Sequence, residues 1–376
     1  MLNRAQGAVL LTGATGFVGM EVLARYLERG DRPVYTLIRA ESDRAAQERL
    51  DAVLATLFGP RVPGRHAERV RAVAGELTAP HLGLNRTRRE DLARQVTTIV
   101  HSAASVSFTL PLEDARQINV GGTRRMLEFA ELARELGGLG RYGHVSTAYV
   151  AGTPAGRFAE SDLDVGQRFN NSYEQSKFEA EQLVRAQPEL PFTILRPSIV
   201  VGDRRSGWTA AFNVLYWPLR ALARGLFEAI PASPSAPLDV VSVDYVADAI
   251  YELCEARDGI GATYHLAAGA QASTMGEVAQ LASGYFRRPA PKMLPPAEFA
   301  SLSPTVAQGS AFETGSAYFP YFSINAVFDD AATRARLEPA GIRVSPLRDY
   351  MDRLLDYATR SRWGKRPIAR SQAQPV

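Results

Sequence analysis

A tyrosine and a lysine four residues apart are the side chains of this sequence best suited to acid–base chemistry. Tyr173 and Lys177 lie in the segment SYEQSK, and on a helix this spacing places both on one face. A nearby ammonium favours the phenolate, so it should lower the tyrosine pKa and allow proton exchange near neutral pH. Because YxxxK is common by chance, a further group is needed to make the pair informative.

Hydroxyl side chains upstream could supply that group. The segment HVSTAYV ends a predicted strand at Ser146 and Thr147. Ligands bind at the carboxyl edge of parallel sheets, so one of the two hydroxyls could hydrogen-bond a reacting oxygen there. His101 ends another predicted strand and could act as a base, but a lone histidine in such a place is more often structural.

A glycine-rich segment near the start predicts a phosphate-binding loop. TGATGFVG directly follows the first predicted strand, with Gly13, Gly16 and Gly19 three residues apart. The first glycine permits a tight turn, the second lets backbone approach a pyrophosphate, and the third lets the next helix pack closely. The N-terminus of that helix then faces the anion, as in dinucleotide-binding proteins.

The end of the second predicted strand favours NADP(H) over NAD(H). A ribose-binding carboxylate is expected about 20 residues after the glycine loop when the cofactor is NAD. The strand reads VYTLIRA, which puts Ile38 where the acid would stand and Arg39 beside it. An arginine suits a 2′-phosphate, although Arg39 as an ordinary surface residue is the alternative.

The alternation of short β-branched runs with amphipathic stretches predicts a parallel sheet covered by helices. Strands are expected at residues 8–12, 33–38, 70–74, 97–101, 142–146 and 192–196. Gly30 should cap the first helix, and Asn119 should begin a later one. A strand at 240–243, a helix at 245–254 and a strand at 263–266 should return the chain to the sheet.

These elements predict an α/β fold: a Rossmann-type doubly wound parallel sheet with an interleaved, smaller C-terminal substrate-binding lobe. The NADP-binding domain is placed at residues 1–200, with its sheet completed by about 237–270. The lobe is assigned to residues 201–236 and 271–359. The basic tail at 360–376 is expected to be poorly ordered, with phosphate binding as the alternative.

Four motifs in order, TGATGFVG, NVGGT, VSTAYV and NSYEQSK, resemble the extended short-chain dehydrogenase/reductase superfamily over about the first 270 residues. The resemblance implies that Thr147, Tyr173 and Lys177 are catalytic and that Asn119 supports them. Five further segments are similar to the thioester reductase and fatty acyl-CoA reductase branch: LIRA, GEL, HSAASVSF, RPSIVVGD and VFDDAATRARL. Sugar-nucleotide epimerases usually carry an acid where this chain has Ile38.

The resemblance implies NADPH-dependent reduction of an acyl thioester, held on CoA or on a carrier protein, to an aldehyde and optionally onward to an alcohol. The implied cofactor contacts are Gly13, Thr15, Gly16, Phe17, Val18, Gly19, Arg39, Glu76, Leu77, Ser102, Ala103, Ala104, Tyr173, Lys177, Pro197 and Ser198. One alternative is a reductase or epimerase of a sugar nucleotide or another small carbonyl compound. The other is a non-catalytic NADP-sensing protein, against which the intact catalytic residues argue.

Two apolar stretches of the lobe could line an acyl channel, with core packing or a dimer face as equal alternatives. The first holds Phe212, Val214, Leu215, Tyr216, Trp217, Leu219 and Leu222, and the second holds Phe312, Tyr318, Phe319, Tyr321 and Phe322. Arg220 and Arg224, one turn apart, could meet a phosphate of the substrate.

Composition and charge argue against several other kinds of protein. With 43 basic and 40 acidic residues among 376, the net charge of +3 is too small to suggest nucleic acid. The single cysteine, Cys254, is expected in the core; it allows no internal disulfide and fits a reducing compartment. No metal site, signal peptide or membrane span is predicted, so the expected location is cytoplasmic. Helices near 119–135 and 171–183 could pair in a homodimer.

Overall fold

Seven parallel strands form the central sheet in the computed structural model of the chain, which describes residues 7–153, 155–212, 214–226, 228–301, 316–322 and 324–373. The strands are β1 (Ala8–Thr12), β2 (Val34–Ile38), β3 (Val70–Ala74), β4 (Val96–His101), β5 (Arg141–Val145), β6 (Gly156–Phe158), β7 (Phe192–Pro197), β8 (Ile199–Val201), β9 (Ala229–Pro231), β10 (Pro237–Leu238), β11 (Val240–Ser242), β12 (Thr263–Leu266), β13 (Ser273–Thr274), β14 (Lys292–Leu294) and β15 (Ala326–Phe328). The central sheet runs β12-β7-β5-β4-β1-β2-β3, so the strand order reverses between β1 and β4. Ligand crevices of such sheets lie at this reversal.

Helices cover both faces of the sheet. They are α1 (Phe17–Arg29), α2 (Asp43–Phe58), α3 (Gly64–Ala67), α4 (Arg86–Gln95), α5 (Leu112–Arg116), α6 (Gly122–Gly137), α7 (Ser172–Arg185), α8 (Tyr216–Ala223), α9 (Val243–Glu255), α10 (Met275–Phe286), α11 (Pro296–Ala300), α12 (Ala331–Leu337) and α13 (Met351–Arg360). One core joins α1, α2 and α9, and another joins α4, α6 and α7. Strand β1 serves both, with Val9 and Leu11 in the first and Leu10 in the second, because successive side chains point to opposite faces.

The predicted α/β fold is confirmed, and the predicted strands of the central sheet differ from the observed ones by at most one residue at either end. These strands are buried on both faces, which is why their sequences read as continuous apolar and β-branched runs. No helix within the described residues is long and apolar enough to cross a membrane.

The strand predicted at 240–243 was wrongly assigned to the central sheet. Strand β8 follows β7 after one residue, Ser198, and therefore extends beyond the sheet's carboxyl edge. Strand β11 pairs with this extension in a separate parallel ribbon, and β12 alone returns to the central sheet. The lobe adds further short ribbons, β9 with β14, β10 with β13, and β6 with β15.

Two helix ends differ from the expected ones. Helix α1 does end at Gly30, whose N–H bonds to the Tyr26 carbonyl, but Gly30 is extended at φ −114° and not in the left-handed cap conformation. Asn119 does not begin a helix: it lies in a π turn, Gln117–Gly121, between α5 and α6. The wider turn makes one continuous helical segment with a local expansion, a feature often found at functional sites.

The C-terminal tail, expected to be poorly ordered, folds back onto the rest of the protein over residues 361–373, and Arg370 holds it to α1. Arg370 forms ion pairs with Glu21 at 2.8 Å and Glu28 at 2.6 Å, and the indole N–H of Trp208 donates to the Ile368 carbonyl. Glu21 is buried, and burial raises its pKa while Arg370 opposes that rise. Pairing a buried carboxylate accounts for the tail's position and occupies Arg370.

A fully buried ion pair joins helix α7 to the sheet. Arg196 of β7 and Glu181 of α7 both have 0% exposed side chains and lie 2.7 Å apart. The hydroxyl of Ser146, just after β5, donates to the same carboxylate at 2.7 Å. Three elements are therefore held by one carboxyl group.

Removing the arginine should be strongly destabilising. Arg196→Leu removes the buried cationic partner of Glu181 and leaves this buried carboxylate only the partly exposed Arg185, so the free energy of unfolding should fall by about 3–5 kcal/mol. Arg185→Gln removes a partly exposed partner of the same carboxylate and should cost about 1 kcal/mol or less. Urea unfolding followed by tryptophan fluorescence measures both variants, and equal losses would contradict this account.

Candidate active site

A pocket of about 860 Å³ lies at the carboxyl edge of the central sheet, where the loops after β1, β2, β3, β4, β5 and β7 converge. All sixteen residues expected to contact the cofactor line it, and so does Thr147. Asn119 and His101 are not among its lining residues. The topology thus gathers into one cavity residues that are up to 185 positions apart in the sequence.

The glycine loop forms a cradle that side chains would block. Gly13 has φ +79°, and a Cβ there would stand 2.7 Å from the Ala103 nitrogen. A Cβ on Gly19 would lie 2.1 Å from the Gly13 carbonyl oxygen. Helix α1 starts beside this cradle without a side-chain cap, so its first N–H groups are available to an anion. A dinucleotide pyrophosphate fits these features.

Two arginines stand at the far end of the cradle. Arg39 is 79% exposed, with its Nε 4.0 Å from a Glu76 carboxylate oxygen, a separation too long to engage it firmly. Arg49 of α2 also lines the pocket and donates to the Arg39 carbonyl. The sequence reasoning missed Arg49, because only the packing of α2 against β2 brings it to this edge.

Thr147 is the hydroxyl that faces the tyrosine. Ser146 donates to Glu181, so its hydroxyl is committed to the buried ion pair. The Thr147 side chain hydrogen-bonds Tyr173, and its oxygen also accepts the Tyr149 N–H at 3.2 Å. The choice left open between the two hydroxyls is therefore decided in favour of Thr147.

Burial moves the pKa values of the tyrosine and the lysine in opposite directions. Desolvation raises the pKa of Tyr173 to about 12, partly opposed by the Thr147 hydrogen bond. Desolvation lowers the pKa of Lys177 to about 8, partly opposed by Glu181. The predicted lowering of the tyrosine pKa by Lys177 is thus wrong in the cofactor-free protein. The ammonium donates to the Val145 carbonyl at 2.8 Å, and the cost of burying a phenolate dominates.

Asn119 positions the site from behind the pocket wall. Its amide nitrogen donates to the Ser105 carbonyl at 3.1 Å and to the Ser176 hydroxyl at 2.9 Å, while its oxygen accepts the Ser105 N–H at 2.8 Å. It thereby joins the loop after β4 to helix α7, one residue before Lys177. Every amide atom is engaged by these two serines, so we expect Asn119 to support Tyr173 and Lys177 by holding this loop to this helix, as the resemblance implies.

His101 has the environment of a structural histidine. Its Nδ1 lies 2.8 Å from the Thr12 hydroxyl and its Nε2 lies 3.3 Å from the Thr123 hydroxyl. Burial, together with the charge of Lys177, lowers its pKa to about 3, so the ring is neutral at physiological pH. The Thr12 hydroxyl in turn accepts the Ala103 N–H, which holds the loop that faces the cradle.

Aromatic rings wall the other end of the pocket, beyond Tyr173. The Phe108 ring lies 5.7 Å from that of Tyr173, stacks on Tyr321 at 5.2 Å and meets Tyr318 edge-on at 5.5 Å. Tyr149, also in the lining, packs edge-on against Tyr321 at 5.0 Å. Phe108 and Tyr149 were missed as wall residues, because neither belongs to the two apolar stretches of the lobe.

The apolar stretches divide between the pocket and the core. Val214, Tyr318 and Tyr321 line the pocket. Five other residues of the two stretches are buried in the core of the lobe: Leu215, Tyr216, Leu219, Leu222 and Phe322. Phe212, Trp217 and Phe319 do not line the pocket. Phe312 lies outside the described residues. Arg220 and Arg224 do not reach the pocket.

The aromatic wall is tied to the catalytic helix by Tyr321. Its hydroxyl donates to the buried Glu174 carboxylate at 2.6 Å and accepts from the Asn171 amide at 2.9 Å. Glu174 directly follows Tyr173 in the sequence, so this hydrogen bond holds the lobe next to Tyr173. The arrangement can present a carbonyl compound to Tyr173 and Thr147 beside a bound dinucleotide.

Comparison with known proteins decides the family. A family model for NAD-binding proteins, described as male sterility protein, matches residues 11–250. The chain belongs to this family. Human fatty acyl-CoA reductase 1 is 32% identical over 273 residues, which cover 63% of this chain and 52% of the human protein. A non-canonical nonribosomal peptide synthetase of the fungus Cladobotryum is 31% identical over 271 residues, 69% of this chain and 26% of that protein.

Solved structures of other proteins share the fold of this chain. The terminal R domain from the myxalamid PKS-NRPS biosynthetic pathway has a TM-score of 0.83 and 27% identity, over 96% of this chain and 93% of that one. UDP-glucuronic acid 4-epimerase from Bacillus cereus, in complex with NAD, has a TM-score of 0.66 and 16% identity, over 94% of this chain and 97% of that one. At this identity the likeness shows a shared fold and nothing more. The predicted membership in the thioester reductase and fatty acyl-CoA reductase branch is confirmed, and this chain spans about half the length of the fatty acyl-CoA reductases it matches.

As a member of an NAD-binding family, the protein should bind its reduced cofactor more weakly as pH rises through about 8. Lys177 is charged below that pKa and neutral above it, and the charged form favours an anionic ligand. The dissociation constant should increase by up to about tenfold per pH unit above 8. Nicotinamide fluorescence titrations from pH 6 to 10 would measure it. Lys177→Arg keeps the charge, so it should remove this pH dependence of the dissociation constant. If that variant also loses affinity above pH 8, Lys177 is not the source of the dependence.

Proposed function

We propose that this protein reduces an acyl thioester to an aldehyde with NADPH. The observation that carries the proposal is the position of Tyr173, Thr147 and Lys177, between a dinucleotide cradle and an aromatic-walled cavity. The names of its relatives, fatty acyl-CoA reductases and R domains of peptide-synthesising assembly lines, support the same chemistry.

The residues of the pocket suit the reduction step. NADPH held by the glycine loop and the other lining residues would supply a hydride to the thioester carbonyl carbon. Tyr173 and Thr147 donate hydrogen bonds to the carbonyl oxygen, which stabilises the negative charge that develops there. Tyr173 keeps its proton at neutral pH because its pKa is about 12, so it can transfer that proton to the oxygen. Lys177 then stabilises the phenolate. The hemithioacetal formed in this way releases the aldehyde when its carbon–sulfur bond breaks, its hydroxyl proton passes to the departing sulfur to give the thiol, and Tyr173 regains a proton from water.

The choice of NADPH over NADH rests on the two arginines at the adenosine end of the cradle. Arg39 is free to turn toward a 2′-phosphate, since Glu76 holds it only at 4.0 Å. Arg49 lies beside it in the lining and is held through the Arg39 carbonyl. A guanidinium can bind a phosphate through two parallel hydrogen bonds, which a ribose hydroxyl cannot match.

NADPH should therefore bind about tenfold or more tightly than NADH, the size of one charged hydrogen bond at an exposed position. Arg39→Ala with Arg49→Ala should remove most of that difference while leaving NADH binding within about twofold. Isothermal titration calorimetry measures the four dissociation constants, those of NADPH and NADH for the unmodified protein and for the double variant. Equal affinities in the unmodified protein would contradict the assignment.

The aromatic wall favours an apolar acyl chain. Phe108, Tyr149, Tyr318, Tyr321 and Val214 line the cavity next to Tyr173, and these side chains offer apolar surface to whatever enters. Each buried methylene contributes up to about 0.8 kcal/mol until the cavity is filled. Of the three tyrosine hydroxyls at the wall, that of Tyr321 is committed to Glu174.

For acyl thioesters, kcat/KM should accordingly rise across a C4 to C12 series and then level off. Phe108→Ala and Tyr318→Ala should flatten the rise and leave the shortest substrate within about twofold, because that substrate does not reach the wall. NADPH oxidation measured together with thiol release and aldehyde mass follows the series, with Tyr173→Phe as the inactive control. Oxidation with sugar nucleotides or aldehydes but with no thioester would instead support the small-carbonyl alternative.

A further inference from the structure

A group of cations on the second lobe lies outside the pocket and has no part in the chemistry above. We call Arg220, Arg224, Arg288 and Lys292 the basic patch. Arg220 and Arg224 are one turn apart, within α8 and directly after its end. The Arg288 guanidinium reaches to 3.7 Å from where a Cβ on Gly225 would stand, next to Arg224.

The pairing of two short strands places the fourth cation, Lys292, near the other three. Lys292 begins β14, which pairs in parallel with β9 shortly after α8, and its N–H donates to the Glu228 carbonyl at 2.9 Å. Positions up to 72 residues apart in the sequence therefore share one surface. Arg224, Arg288 and Lys292 are exposed, and Arg220 is half-buried.

The basic patch is not neutralised within the described part of the chain. None of its cations has a carboxylate within 4.0 Å there, whereas Arg116, Arg157 and Arg334 on other surfaces pair with acids at 2.5–3.2 Å. The dipole at the end of α8 favours the cations at 220 and 224, but it does not account for Lys292 on a strand. Like charges gathered without partners repel each other, so the patch suits an anionic partner.

The patch is connected to the substrate end of the pocket. Helix α8 starts two residues after Val214 of the wall, so its end lies about 15 Å away along the helix axis. The Trp217 ring on α8 lies 6.4 Å from that of Tyr318 in the wall. The arginines proposed for the cofactor, Arg39 and Arg49, follow β2 instead, so the patch serves a different anion.

We propose that the basic patch docks an acidic carrier protein, which presents its thioester-linked acyl group to the pocket; this rests on the thioester reduction proposed above. Nucleotide phosphates bind in concave cradles of N–H groups. The patch is instead an exposed surface spread over a helix end, a turn and a strand. Such a surface matches carboxylates distributed over a protein, and the attraction should increase the association rate and depend on salt.

The test uses charge reversal in the full chain. Arg224→Glu with Arg288→Glu should weaken binding of a decanoyl-loaded acidic acyl carrier protein at least about tenfold, and raise KM for its reduction equally with kcat unchanged. Decanoyl-pantetheine, which lacks the carrier, should be reduced within about twofold of the original rate. Arg61→Glu with Arg65→Glu is the matched control, because those exposed arginines precede β3 at the opposite edge of the sheet.

Each outcome assigns the patch differently. A tenfold loss for the carrier alone, shrinking as salt is raised from about 0.05 to 0.5 M, supports docking. Three other results would each overturn the proposal. If activity with decanoyl-CoA falls equally, the patch binds the phosphates of CoA, and if activity with decanoyl-pantetheine falls equally, the patch has a structural role. If the affinity for the carrier is unchanged, the patch takes no part in recognition. If the unmodified protein reduces no thioester, the proposed function fails separately, while the carrier-binding constants still test the patch.

Discussion

The carboxylate of Glu181 is the point on which the catalytic geometry depends. It is fully buried on α7, and it receives Arg196 from β7 and Ser146 from the end of β5. A buried carboxylate is unfavourable unless its hydrogen bonds are made, so the helix has one stable position relative to the two strands. That position sets the distance from Lys177, one turn earlier on the helix, to the strand end that carries Thr147. Glu181 also opposes the desolvation of Lys177.

Other side chains of α7 connect the same helix to the rest of the pocket. Ser176 bonds to Asn119, which holds the loop after β4, and Glu174 holds Tyr321 of the lobe. The π turn that contains Asn119 allows this reach from within a continuous helical segment. Helix α7 thus contacts the loop-holding Asn119 and the lobe, and it carries Tyr173 and Lys177 of the proposed mechanism on one rigid element.

Burial separates the pKa values of Tyr173 and Lys177 in the way that the proposed mechanism needs. Tyr173 near 12 remains a proton donor across the physiological range, while Lys177 near 8 is close to losing its charge before a cofactor binds. Desolvation causes both shifts, because it disfavours the phenolate and the ammonium alike. Negative charge brought by a dinucleotide would counter the shift of Lys177 and restore its ability to stabilise the phenolate.

The sequence by itself determined the elements and motifs that local patterns encode. Strand bounds, the glycine loop and the Tyr173–Lys177 spacing follow from near-neighbour sterics and burial periodicity, and these are visible in short windows. The tertiary structure alone showed that the Ser146 hydroxyl is engaged by Glu181, what Asn119 holds, that Phe108 walls the pocket and that Arg370 of the tail pairs with α1. Each of those outcomes depends on contacts between residues far apart in the chain. Their partners are set by how helices and strands pack, and no local sequence window contains that information.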